Sequence, residues 1–81
     1  MFSKLRNYVK QDETKLYYIR NKLNIINYKN ILVFENNKIL VECLDDILEV
    51  KGEDLVINKL LNDELLIEGK IISISFRGYN V

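Results

Sequence analysis

The sequence predicts an all-β domain: a small antiparallel meander of six or seven short strands, closed as a sandwich or barrel and preceded by a short amphipathic helix. Three observations carry this. Apolar pairs recur at a step of eight, at Ile31-Leu32, Ile39-Leu40, Ile47-Leu48 and Leu55-Val56. The intervals end in Asn, Asp and Gly, which accept positive φ or bond to their own backbone in tight turns. The chain is rich in Ile, Leu and Val and has neither alanine nor proline. That β-branched load suits pleated surfaces better than helices.

Residues 1–12 read as the helix. Phe2, Leu5, Tyr8 and Val9 recur at helical spacing, with Lys4, Arg6 and Lys10 on the other faces. Asp12, Glu13 and Thr14 break the pattern, so the chain divides into a basic segment, 1–14, and a β domain, 15–81. Leu16–Arg20 and Leu23–Asn27 read as two strands around Asn21-Lys22. The step of eight then begins, with turns at Asn36-Asn37-Lys38, Asp45-Asp46 and Lys51-Gly52-Glu53-Asp54. The beat stretches to Leu65-Leu66 after Asn62-Asp63-Glu64, and contracts to Ile71-Ile72 after Gly69. Gly52 and Gly69 are read as structural turn positions, where a side chain would obstruct a tight bend. A small solenoid of stacked rungs is the alternative that the same period allows.

Strict alternation would place Ile31 and Val33 opposite Leu32 and Phe34. It would place Ile39, Val41 and Cys43 opposite Leu40 and Leu44, and Ile72, Ile74 and Phe76 opposite Ile71, Ser73 and Ser75. Several strands then carry apolar groups on both faces. One short helix covers too little of a second face, so homo-oligomerisation is expected.

At 81 residues, one thin core is all that can form, and stability is marginal. One cysteine, Cys43, rules out an intrachain disulfide, and the absence of histidine excludes a Cys/His zinc site and Ser-His or Cys-His nucleophile pairs. The lone cysteine fits a reducing cytoplasm. No apolar run approaches the roughly 20 residues of a membrane span, and the N-terminus lacks the apolar core of a signal peptide. Net charge is zero, but residues 1–40 carry eight basic and three acidic side chains, and 41–81 four basic and nine acidic. Such asymmetry bears on association rather than on fold.

Little here supports chemistry. Gly52, Gly69 and Gly78 stand alone, so there is no phosphate-cradling loop. Cys43 lies within an apolar strand and reads as a buried structural thiol. The carboxylates Asp45, Asp46, Glu49, Glu53 and Asp54 lack the spacing of an EF-hand loop and read as charged turns. No catalytic, cofactor-binding or metal-binding residue is expected, and the protein is read as non-enzymatic. Arg6, Lys15, Arg20, Lys22 and Lys29 lie among Tyr8, Tyr17, Tyr18 and Tyr28, the mixture with which small β-barrels hold single-stranded nucleic acid. The neutral total charge weighs against that use. The helix is the strongest local feature: Phe2, Lys4, Leu5, Arg6, Val9 and Lys10 form a candidate membrane or partner contact.

Several stretches together resemble a known family. Ile25-Ile26-Asn27-Tyr28-Lys29-Asn30-Ile31-Leu32, Leu48-Glu49-Val50-Lys51-Gly52-Glu53, Leu55-Val56-Ile57-Asn58-Lys59-Leu60-Leu61 and Leu66-Ile67-Glu68-Gly69-Lys70-Ile71 occur in the order and spacing of the YabP/YqfC sporulation family, and most resemble its YqfC branch. The likeness runs without a gap from Ile25 to Phe76, roughly two thirds of the chain. The Leu-Pro that usually precedes the first strand of that branch is missing. The resemblance implies a role in endospore formation in the mother cell, peripheral to the forespore membrane. It also implies a membrane-anchored YqfD-like partner and no catalytic residues. The leading expectation is therefore an adaptor or scaffold. A self-assembling coat or shell protein is the first alternative, and a single-strand-binding β-barrel the second.

Overall fold

The computed structural model describes residues 14–78. They form six strands and no helix: β1 (Lys15–Ile19), β2 (Lys22–Ile26), β3 (Asn30–Glu35), β4 (Lys38–Glu42), β5 (Asp46–Leu60) and β6 (Glu64–Gly78). The expected helix over residues 1–12 lies outside the described residues. All neighbouring strands are antiparallel in one open sheet, ordered β1-β2-β6-β5-β4-β3. The all-β expectation holds, with three corrections. Antiparallel pairing throughout is incompatible with stacked solenoid rungs. The sheet does not close as a barrel, because β1 and β3 remain its outer strands. Nor is it a plain meander: β3 to β6 follow one another, but β2 pairs with β6 instead of β3.

Local chemistry explains the tight connections. Arg20 and Asn21 have φ of 27° and 63°, the double positive that a two-residue hairpin with the right twist requires. The turn thus sits one residue earlier than the sequence reading placed it. Asn-Gly suits that geometry better than Arg-Asn. Arg20→Asn with Asn21→Gly should therefore stabilise the domain by about 0.5–1 kcal/mol, read as a rise of several degrees in the thermal midpoint. Asn36-Asn37 joins β3 to β4. Between β4 and β5 the Cys43 amide donates to the Asp46 carbonyl at 2.9 Å, and between β5 and β6 the Leu61 amide donates to the Glu64 carbonyl at 2.8 Å.

Gly52 and Gly69 are not turn residues. Both lie inside the two 15-residue strands, β5 and β6, where the ribbon kinks. Register shifts fall between Lys51 and Gly52 and between Glu53 and Val56. Asp54 has φ 54° and Gly69 φ 136°. Two residues on β5, Asp54 and Leu55, stand opposite Gly69 alone, which is a β-bulge. A Cβ on Gly69 would lie 2.7 Å from the Asp54 carbonyl oxygen, and one on Gly52 would overlap the Lys70 carbonyl oxygen. Turns and bulges demand the same residues, and this is why the polar stretch Lys51–Asp54 imitates a turn.

Both hairpin tips are fastened at the kink. The Asn21 carbonyl accepts from the Gly69 amide at 3.1 Å. Across the ribbon, Asn37 and Asn36 carbonyls accept from the Gly52 and Leu55 amides at 3.1 and 2.8 Å. The kink brings the same face of both halves of the sheet onto one core. Leu23 and Ile25 of β2, Leu65 and Ile67 of β6, Ile39 and Val41 of β4, and Leu48, Val50 and Leu55 of β5 form a single buried cluster with Cys43.

The pairing also corrects the face assignments. Leu32 is an extra residue in β3, between Ile31↔Val41 and Val33↔Leu40. Phe34 therefore joins Ile31 on the core side, and Val33 turns outward. A shift at Ile72, between Lys51↔Ser73 and Gly52↔Ile71, likewise sets Ile71 on the core side with Ile74 and Phe76. On the outer face of this half, the rows Glu35-Lys38-Lys51-Ser73 and Asn30-Glu42-Ile47-Arg77 are mostly polar, and Val33-Leu40-Glu49-Ser75 between them is half apolar. The second face is thus mixed rather than continuously apolar, with Val33, Leu40 and Ile47 set among polar and charged neighbours.

Candidate interaction surface

Apolar surface is left at the flanks of the core face. Two rows cross the β3-β4-β5-β6 half: Phe34-Ile39-Val50-Ile74 and Ile31-Val41-Leu48-Phe76. The central side chains Ile39, Val50, Val41 and Leu48 are fully buried. At the β6 end, Ile74 is 36% and Phe76 54% exposed, and Ile72 beside them is 61% exposed. Strand β2 reaches only Glu68 on β6. From Lys70 to Gly78, β6 has β5 on one side and no strand on the other among the described residues.

The sheet's remaining edges carry features that discourage strand addition. Strand β1 has Lys15 at one end and Arg20 just beyond the other. The bulge at Leu32 interrupts β3, which ends in Glu35. The outer part of β5 is bulged at Asn58 and carries Lys59. By contrast β6 runs in unbroken register from Ser73 to Gly78, and Ile71 to Phe76 carries no charge. This exposed apolar strip is the candidate interaction surface.

The sequence-predicted contact residues Phe2, Lys4, Leu5, Arg6, Val9 and Lys10 lie outside the described residues. Of the basic-aromatic set, Arg6 and Tyr8 lie outside the described residues, and the described tyrosines do not share one face. Tyr17 pairs with Asn24 on the outer face and Tyr18 with Leu23 on the core face. Tyr28 packs against the core, its hydroxyl donating to the Leu61 carbonyl at 2.6 Å. Burial, and then the charge of Asp63, push that phenol upward. Lys29 donates its amide to the Glu42 carbonyl at 2.7 Å.

The acidic residues are likewise dispersed. Glu49 lies 3.7 Å from Lys51 and 3.9 Å from Arg77, and Glu53 lies 3.9 Å from Lys70. These are surface pairs, each worth about 1 kcal/mol or less. No group of carboxylates or thiols that could hold a metal ion occurs among the described residues. Glu64 accepts from Asn24 Nδ2 at 3.1 Å and from Lys59 Nζ at 3.2 Å. The Asn24 bond, followed by Lys59, holds its carboxyl below the usual range. The Asn24 Oδ1 atom is buried without a donor. Cys43 is buried, and that burial above all pushes its thiol upward, as a structural rather than a reactive cysteine requires.

The exposed β6 edge was missed in sequence. Its signal was the alternation Ile72-Ser73-Ile74-Ser75-Phe76, which marks a one-sided strand but not whether a neighbour covers it.

No curated protein and no solved structure matches the chain. A family model does: the YabP family, over residues 17–80. That span runs from within β1 through the whole of β6, so all the pairings described above fall inside it or at its border. On that match, the chain belongs to the YabP family.

Proposed function

We propose that this YabP-family chain works in endospore formation as a non-enzymatic adaptor or scaffold. It acts in the mother cell, peripheral to the forespore membrane, as a self-associating β module with a membrane-anchored YqfD-like partner. The observation that carries this reading is the family match across residues 17–80. The thin core, used up by packing, supports a binding role over a catalytic one. The order and spacing of Leu48–Glu53 and Leu66–Ile71 support the YqfC-like branch within the family.

The test is made in a sporulating host. Deleting the gene should lower the yield of mature spores, and a fluorescent fusion should collect around the forespore from the mother-cell side. Phe2→Glu with Leu5→Glu should release the fusion into the mother-cell cytoplasm while the purified variant keeps its β-sheet circular dichroism. Normal spore yield in the deletion strain would reject the sporulation role. Undisturbed localisation of the double variant would reject residues 1–14 as the recruiting element.

A further inference from the structure

The outer edge of β6 is self-complementary. Antiparallel pairing about a two-fold axis at Ile74 would set Ile74 against its own copy, Ser73 against Ser75, and Ile72 against Phe76. Apolar residues then meet apolar ones on one face and serines meet serines on the other, the pairing that stabilises antiparallel ladders. The shift at Ile72 ends the regular alternation, so this pairing spans Ile72–Phe76, a stretch with no charged residue to oppose a like charge. Arg77 already lies 3.9 Å from Glu49 of its own chain. Isologous contact of one patch with itself is also what closed two-fold symmetry demands.

We propose that a second copy of this chain docks on β6 in this register, between Ile72 and Phe76. It would join the two β3-β4-β5-β6 halves into one eight-stranded sheet. The proposal rests on reading the protein as a self-associating module, and names the surface responsible. Three observations select this edge and this occupant. The strand's outer side has no strand beside it among the described residues, although Ile72 and Phe76 are more than half exposed. Its ladder with β5 is regular from Ser73 onward, so the outward amides and carbonyls around the axis at Ile74 can pair in turn. Its sequence runs apolar-Ser-apolar-Ser-apolar in either direction, which suits a copy of itself better than an unrelated peptide. Because the axis closes the contact, a dimer results and not a growing fibre.

Light scattering on the full-length protein across a concentration series tests this. The wild type should rise to twice the chain mass and stop there. Ile74→Lys, which places two ammonium groups at the axis, should raise the dissociation constant at least about tenfold. Ile19→Lys, at an exposed position on β1, should leave it unchanged. Cysteine crosslinking supplies the second readout. Opposed residues in an antiparallel ladder have Cα atoms about 4.5–5.5 Å apart, within disulfide range. Ile74→Cys treated with copper phenanthroline in air should give a covalent dimer, and Ile19→Cys should not. A wild-type monomer at all concentrations would overturn both the self-association reading and this interface. A wild-type dimer that neither Ile74 substitution affects would overturn the interface alone, placing self-association elsewhere.

Discussion

Gly69→Ala should cost the domain about 3 kcal/mol, out of a total that for 81 residues is roughly 4–12 kcal/mol. Two penalties combine. A φ of 136° lies where L side chains are strained by about 1–3 kcal/mol. The new methyl would also lie 2.7 Å from the Asp54 carbonyl oxygen and 3.0 Å from the Leu55 Cα, so backbone and not merely a side chain must give way. The kink cannot relax independently, because the Gly69 amide also holds the Asn21 carbonyl of the β1–β2 tip. In a urea titration the midpoint should fall steeply while the slope stays close to wild type. A loss below about 1 kcal/mol would show that the kink has a second, unstrained conformation.

Ile67→Ala should cost a similar amount, about 3–4 kcal/mol. Ile67 is fully buried at the centre of the row Tyr18-Leu23-Ile67-Ile57, with strands on both sides. Truncation leaves a cavity that neighbours on two ladders cannot fill without breaking register. In a domain of this size each kcal/mol lowers the thermal midpoint by about 4–8 °C. The variant should thus melt well over 10 °C below wild type, or fail to fold at 37 °C. Ile19→Ala, at a position 73% exposed, should change stability by less than about 0.5 kcal/mol. Equal effects from the two substitutions would contradict the placement of the core.

Some of this architecture could be read in the sequence and some could not. The step of eight correctly located β3, β4 and the beginning of β5, because there each beat really is a strand followed by a turn. Beyond it the beat loses its step: Asn62-Asp63-Glu64 does mark the β5–β6 turn, but Lys51–Asp54 and Gly69 are bends inside two long strands. Periodicity does not separate a bend from a turn when both need glycine or aspartate. The bulge at Leu32 has no local signature, and it reverses the facing of Val33 and Phe34. That one residue exchanges the apolar residues of β3 between the faces, leaving Val33 outside and Phe34 on the core side. Ile39 and Val41 in the uninterrupted β4, and Cys43 just beyond its end, were grouped on one side by alternation alone, and all three are buried. The open edge of β6 was beyond reach for another reason: whether a strand has a neighbour depends on where β2 begins, at Lys22 opposite Glu68, more than 40 residues earlier in the chain.

That long-range pairing has a bearing on how the protein is made. On a ribosome, β3, β4 and the first part of β5 can assemble as they emerge, since each meets its neighbour within a few residues. The β1–β2 hairpin appears earlier, yet two strands alone are barely stable in water. Its lasting neighbour is Glu64–Glu68, synthesised some 40 residues later, and loops that long close late. The part of the domain translated first is thus the last to be secured. Until then Leu23 and Ile25 stay open to chaperones or to other nascent chains.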